Sequence, residues 1–362
     1  MFGKFFIFNL IILFLLNITL NFFVDPYGIF RDENNNIYER KIAKDMTNNK
    51  SVFLKSVMKD DLIKYFLVKY DKSKTPIVVL GSSRGYKISS SIIGKNLKNY
   101  SIGAAGLEDR IAFLYLIKKQ YDPKLVIVQI DPHNFSDSFN RIQPYFFSYY
   151  NEGLQNLGLK PSFKDRLRNI KRKAVYYVDS RTTLESFKIL YTKLIGKDFY
   201  LENISDYNNG NYYELIFDGH IVSPDKFEKK STNDTNRLVL EMLKGINPND
   251  YTEQGYFFSH DKFDTFVKFI NEVSKKSKVI ILIPPYHPLI YKTIQTRTLN
   301  YFESEKLLNK ENFNSNNIKI VGSFSPFDIN CLDVDFYDYS HPKESCFKKM
   351  KIAEEVDDLI KK

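Results

Sequence analysis

The chain has 362 residues, of which 43% are hydrophobic, and it carries 53 Lys or Arg against 43 Asp or Glu. This length and composition are typical of a globular protein with a sizeable core and exclude a disordered or fibrous chain. The formal net charge of +10 favours acidic partners such as an anionic glycan, a teichoic-type polymer or anionic lipid. Because the cations alternate with acidic and aromatic residues and form no recognisable nucleic-acid module, we do not expect nucleic acid as a partner.

The first feature along the chain is an apolar stretch, Phe5 to Val24, which is long enough to cross a bilayer as a helix. No small-residue cleavage site follows it, so we expect an uncleaved single-pass anchor and not a removed signal peptide. The flanking cations argue for a cytoplasmic body, since Lys4 precedes the stretch and several follow it: Arg31, Arg40, Lys41 and Lys44. We nevertheless predict a body outside the cytoplasm, because the chemistry predicted below belongs there.

Beyond the anchor and its exit turn (residues 1–30), the sequence predicts a polar tether and a helix over residues 60–70, together spanning 31–75. Strands and helices then alternate over residues 76–135 and again over 260–362. The predicted strands cover residues 76–80, 99–102, 124–130, 278–283 and 317–321, and the helices between and after them cover 107–120, a segment from 261, 289–308 and 343–359. This alternation predicts an α/β fold with a parallel sheet of about five strands.

The two halves are separated by residues 136–259, which we interpret as a helical or irregular insertion that caps the active edge of the sheet. Its clearest helix has an apolar face with Phe163, Leu167 and Ile170. The opposite face is basic and contains Lys164, Arg166, Arg168, Lys171, Arg172 and Lys173. Such a face is ordinarily solvated, but beside a membrane anchor it also suits anionic lipid. A capping box at residues 182–185 predicts a second helix that runs to about residue 195.

The sharpest chemical signal is the apolar run from Pro76 that ends in Gly81-Ser-Ser-Arg84. Ligands collect at the carboxyl ends of parallel strands, so Ser83 is a candidate nucleophile, although a polar turn there is common. Far downstream, Asp338 and His341 share one loop before the last helix. Because one loop delivers both side chains to a serine, the three residues predict a triad in which His341 takes the serine proton and Asp338 orients the imidazole.

Three further side chains near the predicted strand ends each have two interpretations. Arg84 either binds an anionic substrate or forms a structural ion pair. His287, in Pro284-Pro-Tyr-His-Pro288, either lines the pocket or belongs to a rigid loop, and His133 is equally ambiguous. The predicted chemistry needs no metal and no organic cofactor.

The chain has two cysteines, Cys331 and Cys346, which bracket the loop of the predicted base. In an exported body they would pair and pin that loop. The alternative is two unpaired apolar thiols in a protein of low cysteine content. Neither cysteine has the spacing of a metal ligand.

Taken together, these residues resemble the SGNH (GDSL-like) hydrolase superfamily, and especially its membrane-anchored acyltransferases of the cell envelope, which act in alginate O-acetylation and teichoic acid D-alanylation. The resemblance covers residues 76–135 and 260–360. It rests on Gly81-Ser-Ser-Arg84 where the family has Gly-Asp-Ser, on Asp338-x-x-His341 and on the anchor. It implies a flavodoxin-like sheet, an acyl-Ser83 intermediate, transfer or hydrolysis of an acyl group such as acetyl on an envelope glycan, and a multi-spanning membrane acyltransferase as partner.

The same resemblance implies an oxyanion hole made by the nucleophile's N–H, a glycine after the second strand and an asparagine after the third. The glycine is Gly103 or Gly106. Where the family has Gly-x-Asn-Asp, this chain has Asp131-Pro-His-Asn134, so Asn134 or His133 serves, or the position is vacant. Since losing one donor costs about 3 kcal/mol, the departure favours an alternative, a non-catalytic protein of the same fold that binds glycan or scaffolds a polymer-modification complex. A lipid esterase with an apolar groove is a third possibility.

Overall fold

The computed structural model describes residues 2–26, 37–54, 60–139, 142–195, 212–245, 258–297, 303–308, 310–313 and 315–361. Within these ranges the strands in chain order are β1 (Val52–Leu54), β2 (Ile77–Leu80), β3 (Leu97–Asn99), β4 (Leu125–Gln129), β5 (Tyr213–Leu215), β6 (Ile221–Val222), β7 (Lys278–Ile283) and β8 (Ile318–Gly322). The helices are α1 (Phe2–Val24), α2 (Ile37–Thr47), α3 (Asp60–Tyr70), α4 (Ser90–Ile93), α5 (Leu107–Lys118), α6 (Phe147–Asn156), α7 (Phe163–Val178), α8 (Ser180–Ile195), α9 (Asp225–Glu228), α10 (Thr232–Gly245), α11 (His260–Ser274), α12 (Pro288–Arg297), α13 (Glu303–Leu307), α14 (Glu344–Lys349) and α15 (Ile352–Lys361).

Five of the strands form one parallel sheet in the order β3-β2-β4-β7-β8. Counted along the chain this order is 2-1-3-4-5, the order of flavodoxin-like doubly wound folds. The two central strands, β2 and β4, are buried along their whole length, as expected where helices cover both faces of a parallel sheet. The prediction of an α/β fold with a five-stranded parallel sheet is therefore confirmed.

Alternate residues of each strand enter two cores, because successive side chains point to opposite faces of a sheet. On one face Val78, Leu80 and Val126 pack with apolar residues of α3, α5 and α11. On the other face Ile77, Val79 and Ile127 pack with residues of α4, α14 and α15. These two layers hold the strand ends, and hence the loops that follow them, in fixed positions.

The N-terminal part differs from its prediction after the anchor. Helix α1 is long and apolar enough to cross a membrane, and 11% of its most apolar window is buried. The predicted tether, in contrast, contains helix α2, whose Ile42, Ala43 and Met46 are buried in the core. Its apolar positions recur at helical spacing, a signal that the surrounding charges obscured; residues 31–36 lie outside the described ranges.

Other element boundaries shift by a few residues. The second strand of the sheet ends at Asn99, although Tyr100 and Ile102 still donate main-chain bonds to the β2 segment. The predicted last helix is two helices, α14 and α15, separated at Lys351, whose φ is +54°. The helix predicted over residues 289–308 corresponds to α12 and α13, and residues 298–302 between them lie outside the described ranges.

The insertion contributes to three separate contacts. Helix α6 packs on α5, helices α7 and α8 pack on α1, and β5 joins β1 and β6 in a small antiparallel sheet. Helix α8 begins at Ser180 and not at the predicted Thr182, because Asp179 caps it by accepting the N–H of Thr182. Residues 196–211 and 246–257 of the insertion lie outside the described ranges.

Candidate active site

The turn after β2 places Ser83 at the carboxyl edge of the sheet. Ser83 begins a short 3-10 turn whose N-cap, Ser82, accepts the main-chain N–H of Arg84 at 3.3 Å. The Ser82 N–H donates to Oε1 of Gln129, at the end of β4, at 2.6 Å. A Cβ added to Gly81 would lie 2.6 Å from the same Oε1 atom, so the close approach of the two strand ends requires glycine there.

The second half of the site is a tight loop between β8 and α14. The main-chain N–H of Tyr337 donates to the carbonyl of His341 at 3.0 Å, which folds the loop back on itself. Cys331 and Cys346 are joined by a disulfide across this region. Of the two states that the sequence left open for these cysteines, the structure has the paired one, and the bond ties the start of the loop to α14.

The three residues of the predicted triad come together. Ser83 Oγ lies 2.8 Å from His341 Nε2, and His341 Nδ1 lies 2.8 Å from Asp338 Oδ2. The side chains of His341 and Asp338 are 33% and 37% exposed, so the pair faces an accessible space. These distances allow a proton to pass from the hydroxyl to the imidazole while the carboxylate fixes the imidazole tautomer.

The carboxylate of Asp338 is held in its ionised form. Burial alone would raise its pKa, but the charge and hydrogen bond of His341 and the main-chain N–H groups of Ser340 and His341 lower the pKa to about 2. Both N–H groups donate to Oδ1, at 2.8 and 2.9 Å. Asp338 is therefore a permanent acceptor at neutral pH, as an orienting residue must be.

Arg84 lies behind the turn and does not line the cavity. Its side chain is 4% exposed, and its donors reach the Ser340 carbonyl at 2.9 Å, Asp131 Oδ1 at 2.7 Å, and the carbonyls of Pro284 at 2.5 Å and Pro285 at 2.7 Å. Of its two predicted roles, the geometry agrees with the structural ion pair and not with substrate binding. The guanidinium joins the serine turn to the loop of the base and to the end of β7.

The expected oxyanion donors are engaged within the protein. The N–H of Gly103 donates to Asp60 Oδ2 at 3.1 Å, and the N–H of Gly106 donates to Asp109 Oδ2 at 2.9 Å. Asn134 donates to the carbonyl of Ala105 at 3.1 Å and accepts the N–H of Asp131. These bonds fix the loops after β3 and β4 and leave none of the three residues as an evident anion ligand.

Two other main-chain N–H groups remain available as donors. Ser83 and Ala104 both line the cavity, and within the described ranges neither N–H has a hydrogen-bond acceptor. Ala104 has a φ of +51°, in the left-handed region that side chains with a Cβ rarely adopt. Such strain is typical of functional sites, where it orients backbone groups. The signal was the Gly103-Ala-Ala-Gly106 turn itself, although sequence reasoning chose its glycines.

The two other candidate histidines lie outside the cavity wall. His287 is fully buried, accepts the N–H of Leu289 at Nδ1 and packs against Phe336. His133 packs on Phe139, and burial lowers its pKa to about 4 despite Asp131 nearby. Neither agrees with the substrate-binding interpretation, and both agree with a structural role.

The triad opens into a cavity of about 470 Å³. Its wall combines aromatic, other apolar and polar groups from several segments of the chain. Helix α3 provides Asp60 and Asp61, and the loops after β2 and β3 provide Ser83, Tyr86, Lys87, Gly103 and Ala104. The insertion provides Gln143, Tyr213, Ser223 and Phe227, and the last loop provides Tyr337, Asp338, His341 and Pro342. The sequence predicted the triad and a helix over residues 60–70. It did not indicate that this helix or particular residues of the insertion line the cavity, since neither segment carries a motif.

Glu228 joins the insertion to the candidate site through two contacts. Glu228 of α9 accepts the Tyr337 hydroxyl at 2.6 Å and pairs with Lys87 Nζ at 2.5 Å. The side chains of Lys87 and Glu228 are 12% and 31% exposed, so this ion pair is partly shielded from solvent. It holds α9 across the end of the cavity.

Within the described ranges no group of three or more His, Cys, Asp or Glu side chains is arranged to hold a metal ion. In comparisons with known proteins, no family model matches the chain. The search of curated proteins finds no match either.

Proposed function

We propose that the protein is an SGNH-type serine acyltransferase or esterase that acts on an envelope glycan through an acyl-Ser83 intermediate. The observation that carries the proposal is the pair of 2.8 Å contacts joining Ser83 to His341 and His341 to Asp338. The strand order 2-1-3-4-5, with the nucleophile after the first strand of the sheet and the base after the last, supports the same assignment.

The proposed reaction begins when Ser83 Oγ attacks the carbonyl carbon of an ester and its proton passes to His341 Nε2. The N–H groups of Ser83 and Ala104 are the donors that we assign to the oxyanion. The intermediate collapses to acyl-Ser83 as His341 returns the proton to the departing alcohol oxygen. A glycan hydroxyl or water, deprotonated by His341, then attacks the acyl carbon, and the proton returns to Ser83.

The chemistry of the cavity supports a glycan as acceptor or substrate. Its aromatic side chains, Tyr213, Phe227 and Tyr337, provide flat apolar faces for sugar rings, and the side chains of Gln143 and Ser223 provide hydrogen-bonding groups for sugar hydroxyls. A lipid esterase would need a wide groove that is apolar throughout, whereas the side chains of Asp60, Asp61, Gln143 and Asp338 lie in this wall. Transfer to a glycan would also need an acyl donor, which in similar systems is supplied by a multi-spanning membrane acyltransferase.

We further propose that α1 anchors the protein in the cell membrane with the body outside the cytoplasm. The disulfide between Cys331 and Cys346 supports this side of the membrane, because such bonds persist in oxidising compartments. The positive residues beyond α1 favour the opposite orientation. We give the disulfide more weight because it depends directly on the redox state of the compartment.

The test is the intact mass of the full-length protein in detergent after incubation with a fluorophosphonate. We expect one covalent adduct on the wild type and on Ser223→Ala, a matched change of another cavity serine, and none on Ser83→Ala. Repeating the incubation with p-nitrophenyl acetate tests for the acyl-enzyme. A folded wild type that never labels would overturn the proposal and favour the non-catalytic glycan-binding protein, which the engagement of Gly103 by Asp60 also supports.

A further inference from the structure

Two helices of the insertion turn apolar side chains away from the protein body. In α7, Phe163, Leu167 and Ile170 are 80%, 55% and 64% exposed, and in α8 the side chains of Leu184, Phe187, Leu194 and Ile195 are each at least 49% exposed. A helix on a soluble body buries its apolar stripe in the core. Contiguous exposed apolar surface instead marks an interaction site. We call α7 and α8 together the helical hairpin.

The hairpin is docked on the membrane helix through polar contacts. The amide of Asn21 in α1 donates to the carbonyl of Tyr177 at 2.8 Å and to Thr183 Oγ1 at 3.1 Å, and its Oδ1 accepts from Ser186 Oγ at 3.0 Å. Thr183 also donates to Asn17. An amide in hydrocarbon is costly unless protein partners satisfy it. The hairpin therefore supplies partners for the two asparagines nearest the end of α1.

The position of these contacts gives the depth at which the junction between α7 and α8 meets α1. The apolar segment Lys4–Val24 has 21 residues, which as a helix is about 31 Å long and matches a hydrocarbon core of about 30 Å. Asn21 and Asn17 precede the end of this segment, and at 1.5 Å per residue they lie about 5 and 10 Å inside it. Amphipathic helices that lie in the membrane interface bury their apolar face to about this depth.

The charge of the hairpin suits anionic headgroups. Residues 163–195 contain nine Lys or Arg against three Asp or Glu. On α7, Arg166 and Lys171 are exposed and lie on either side of the apolar stripe, and Arg181 is exposed at the start of α8. Cations that flank an apolar stripe reach the headgroup level while the stripe contacts acyl chains.

We infer that the helical hairpin inserts into the leaflet in which α1 ends, with its apolar face in the acyl chains and its cations on anionic lipid headgroups. The occupant is lipid because both helices pack on α1, whose exposed apolar side chains the same bilayer covers. The inference rests on α1 crossing the membrane and does not depend on the acyl-transfer chemistry. It gives the insertion a second role, which is to fix the body against the membrane surface.

The absence of tryptophan from the chain makes the test direct, because each introduced Trp is the sole one. The full-length variants Leu167→Trp and Phe187→Trp would be reconstituted in phosphatidylcholine vesicles containing phosphatidylglycerol. Leu332→Trp, at a 62% exposed apolar position in the disulfide-linked loop, is the matched control. Thermal melting monitored by circular dichroism checks that each variant is folded.

We expect lipids with brominated acyl chains to quench most of the fluorescence of the two hairpin variants and little of the control, and aqueous iodide to do the reverse. Equal iodide quenching of all three variants would overturn the inference. Protection of the hairpin tryptophans from both quenchers would also overturn it, since protein would then cover the surface. A second experiment adds Arg166→Glu and Lys171→Glu to the Leu167→Trp variant. These changes should reduce lipid quenching more in vesicles that contain phosphatidylglycerol than in vesicles of pure phosphatidylcholine. An equal reduction in both would refute the headgroup assignment.

Discussion

Replacing Arg84 by lysine tests whether one buried guanidinium holds the two halves of the site together. Arg84 donates in several directions, to the carbonyls of Ser340, Pro284 and Pro285 and to the carboxylate of Asp131. A lysine keeps the charge but has a single nitrogen, which does not reach these separated acceptors at once. In its most favourable conformation, the lysine of Arg84→Lys keeps the ion pair with Asp131 and loses most of the hydrogen bonds to the carbonyls.

The magnitude follows from these contacts. A hydrogen bond from a charged donor contributes about 1.5–3 kcal/mol, so the loss of two of them costs about 3–6 kcal/mol. For a body of this size we expect a fall in Tm of roughly 5–15 °C. Because Ser340 precedes His341, loosening the loop also moves the imidazole, and a displacement of about 1 Å lowers the acylation rate about 100-fold.

The assay is thermal unfolding by circular dichroism beside the rate of fluorophosphonate labelling, both on the full-length protein. Arg237→Lys is the control, because Arg237 is 70% exposed and its ion pair with Asp234 contributes little. If Arg84→Lys melts and labels like the wild type, the guanidinium does not join the two loops and the reasoning fails. A lower Tm with an unchanged labelling rate would show that Arg84 stabilises the fold without positioning His341.

Three further changes have distinct expected outcomes. Asp338→Asn should lower the Tm slightly, because the ionised carboxylate with its lowered pKa stabilises the folded state at neutral pH. It should also slow acyl-enzyme formation about 10⁴-fold, because the imidazole tautomer is no longer fixed, and an unchanged burst with p-nitrophenyl acetate would argue against the triad. Replacing Cys331 and Cys346 by alanine should cost about 3 kcal/mol for a sequence separation of 15, and reductant should lower the Tm of the wild type but not of this variant. Burial raises the pKa of Asp109 from 3.8 to about 7, so the folded state loses stability as pH rises through that interval. Asp109→Asn should therefore gain in Tm relative to the wild type between pH 4 and 7, and a difference independent of pH would refute the shift.

The sheet and the meeting of Ser83, Asp338 and His341 were predictable because they depend on local signals. Apolar runs that end in small or polar residues define the strands, and parallel strands bring their carboxyl ends to one edge. Asp338 and His341 needed only to follow the last strand on one loop. The sequence thus determines which segments converge, since the topology of the sheet leaves few alternatives.

The partners of each polar group were not predictable in the same way. Arg84 is next to the nucleophile in sequence, but its burial depends on carbonyls about 200 and 256 residues away. Gly103 was a reasonable oxyanion donor until Asp60, from a helix with no motif, accepted its N–H. Which groups become hydrogen-bond partners depends on side-chain packing between distant segments, and neither the periodicity nor the spacing of residues in the sequence indicates that packing. For the same reason, the apolar stripe of α7 predicted a helix but did not indicate whether the stripe faces the core or the outside of the protein.

The insertion contacts both the N-terminal helix and the cavity, two parts of the molecule that the sequence motifs do not connect. Its first part forms the helical hairpin on α1, and its second part provides Tyr213 and Phe227 to the cavity and Glu228 to the contact with Tyr337. None of these residues belongs to the triad, so changes in the insertion alter the cavity wall and the surface that we assign to the membrane without altering the proposed chemistry. Since the wall determines what reaches Ser83, part of the specificity of the proposed reaction resides in the insertion, which carries no motif.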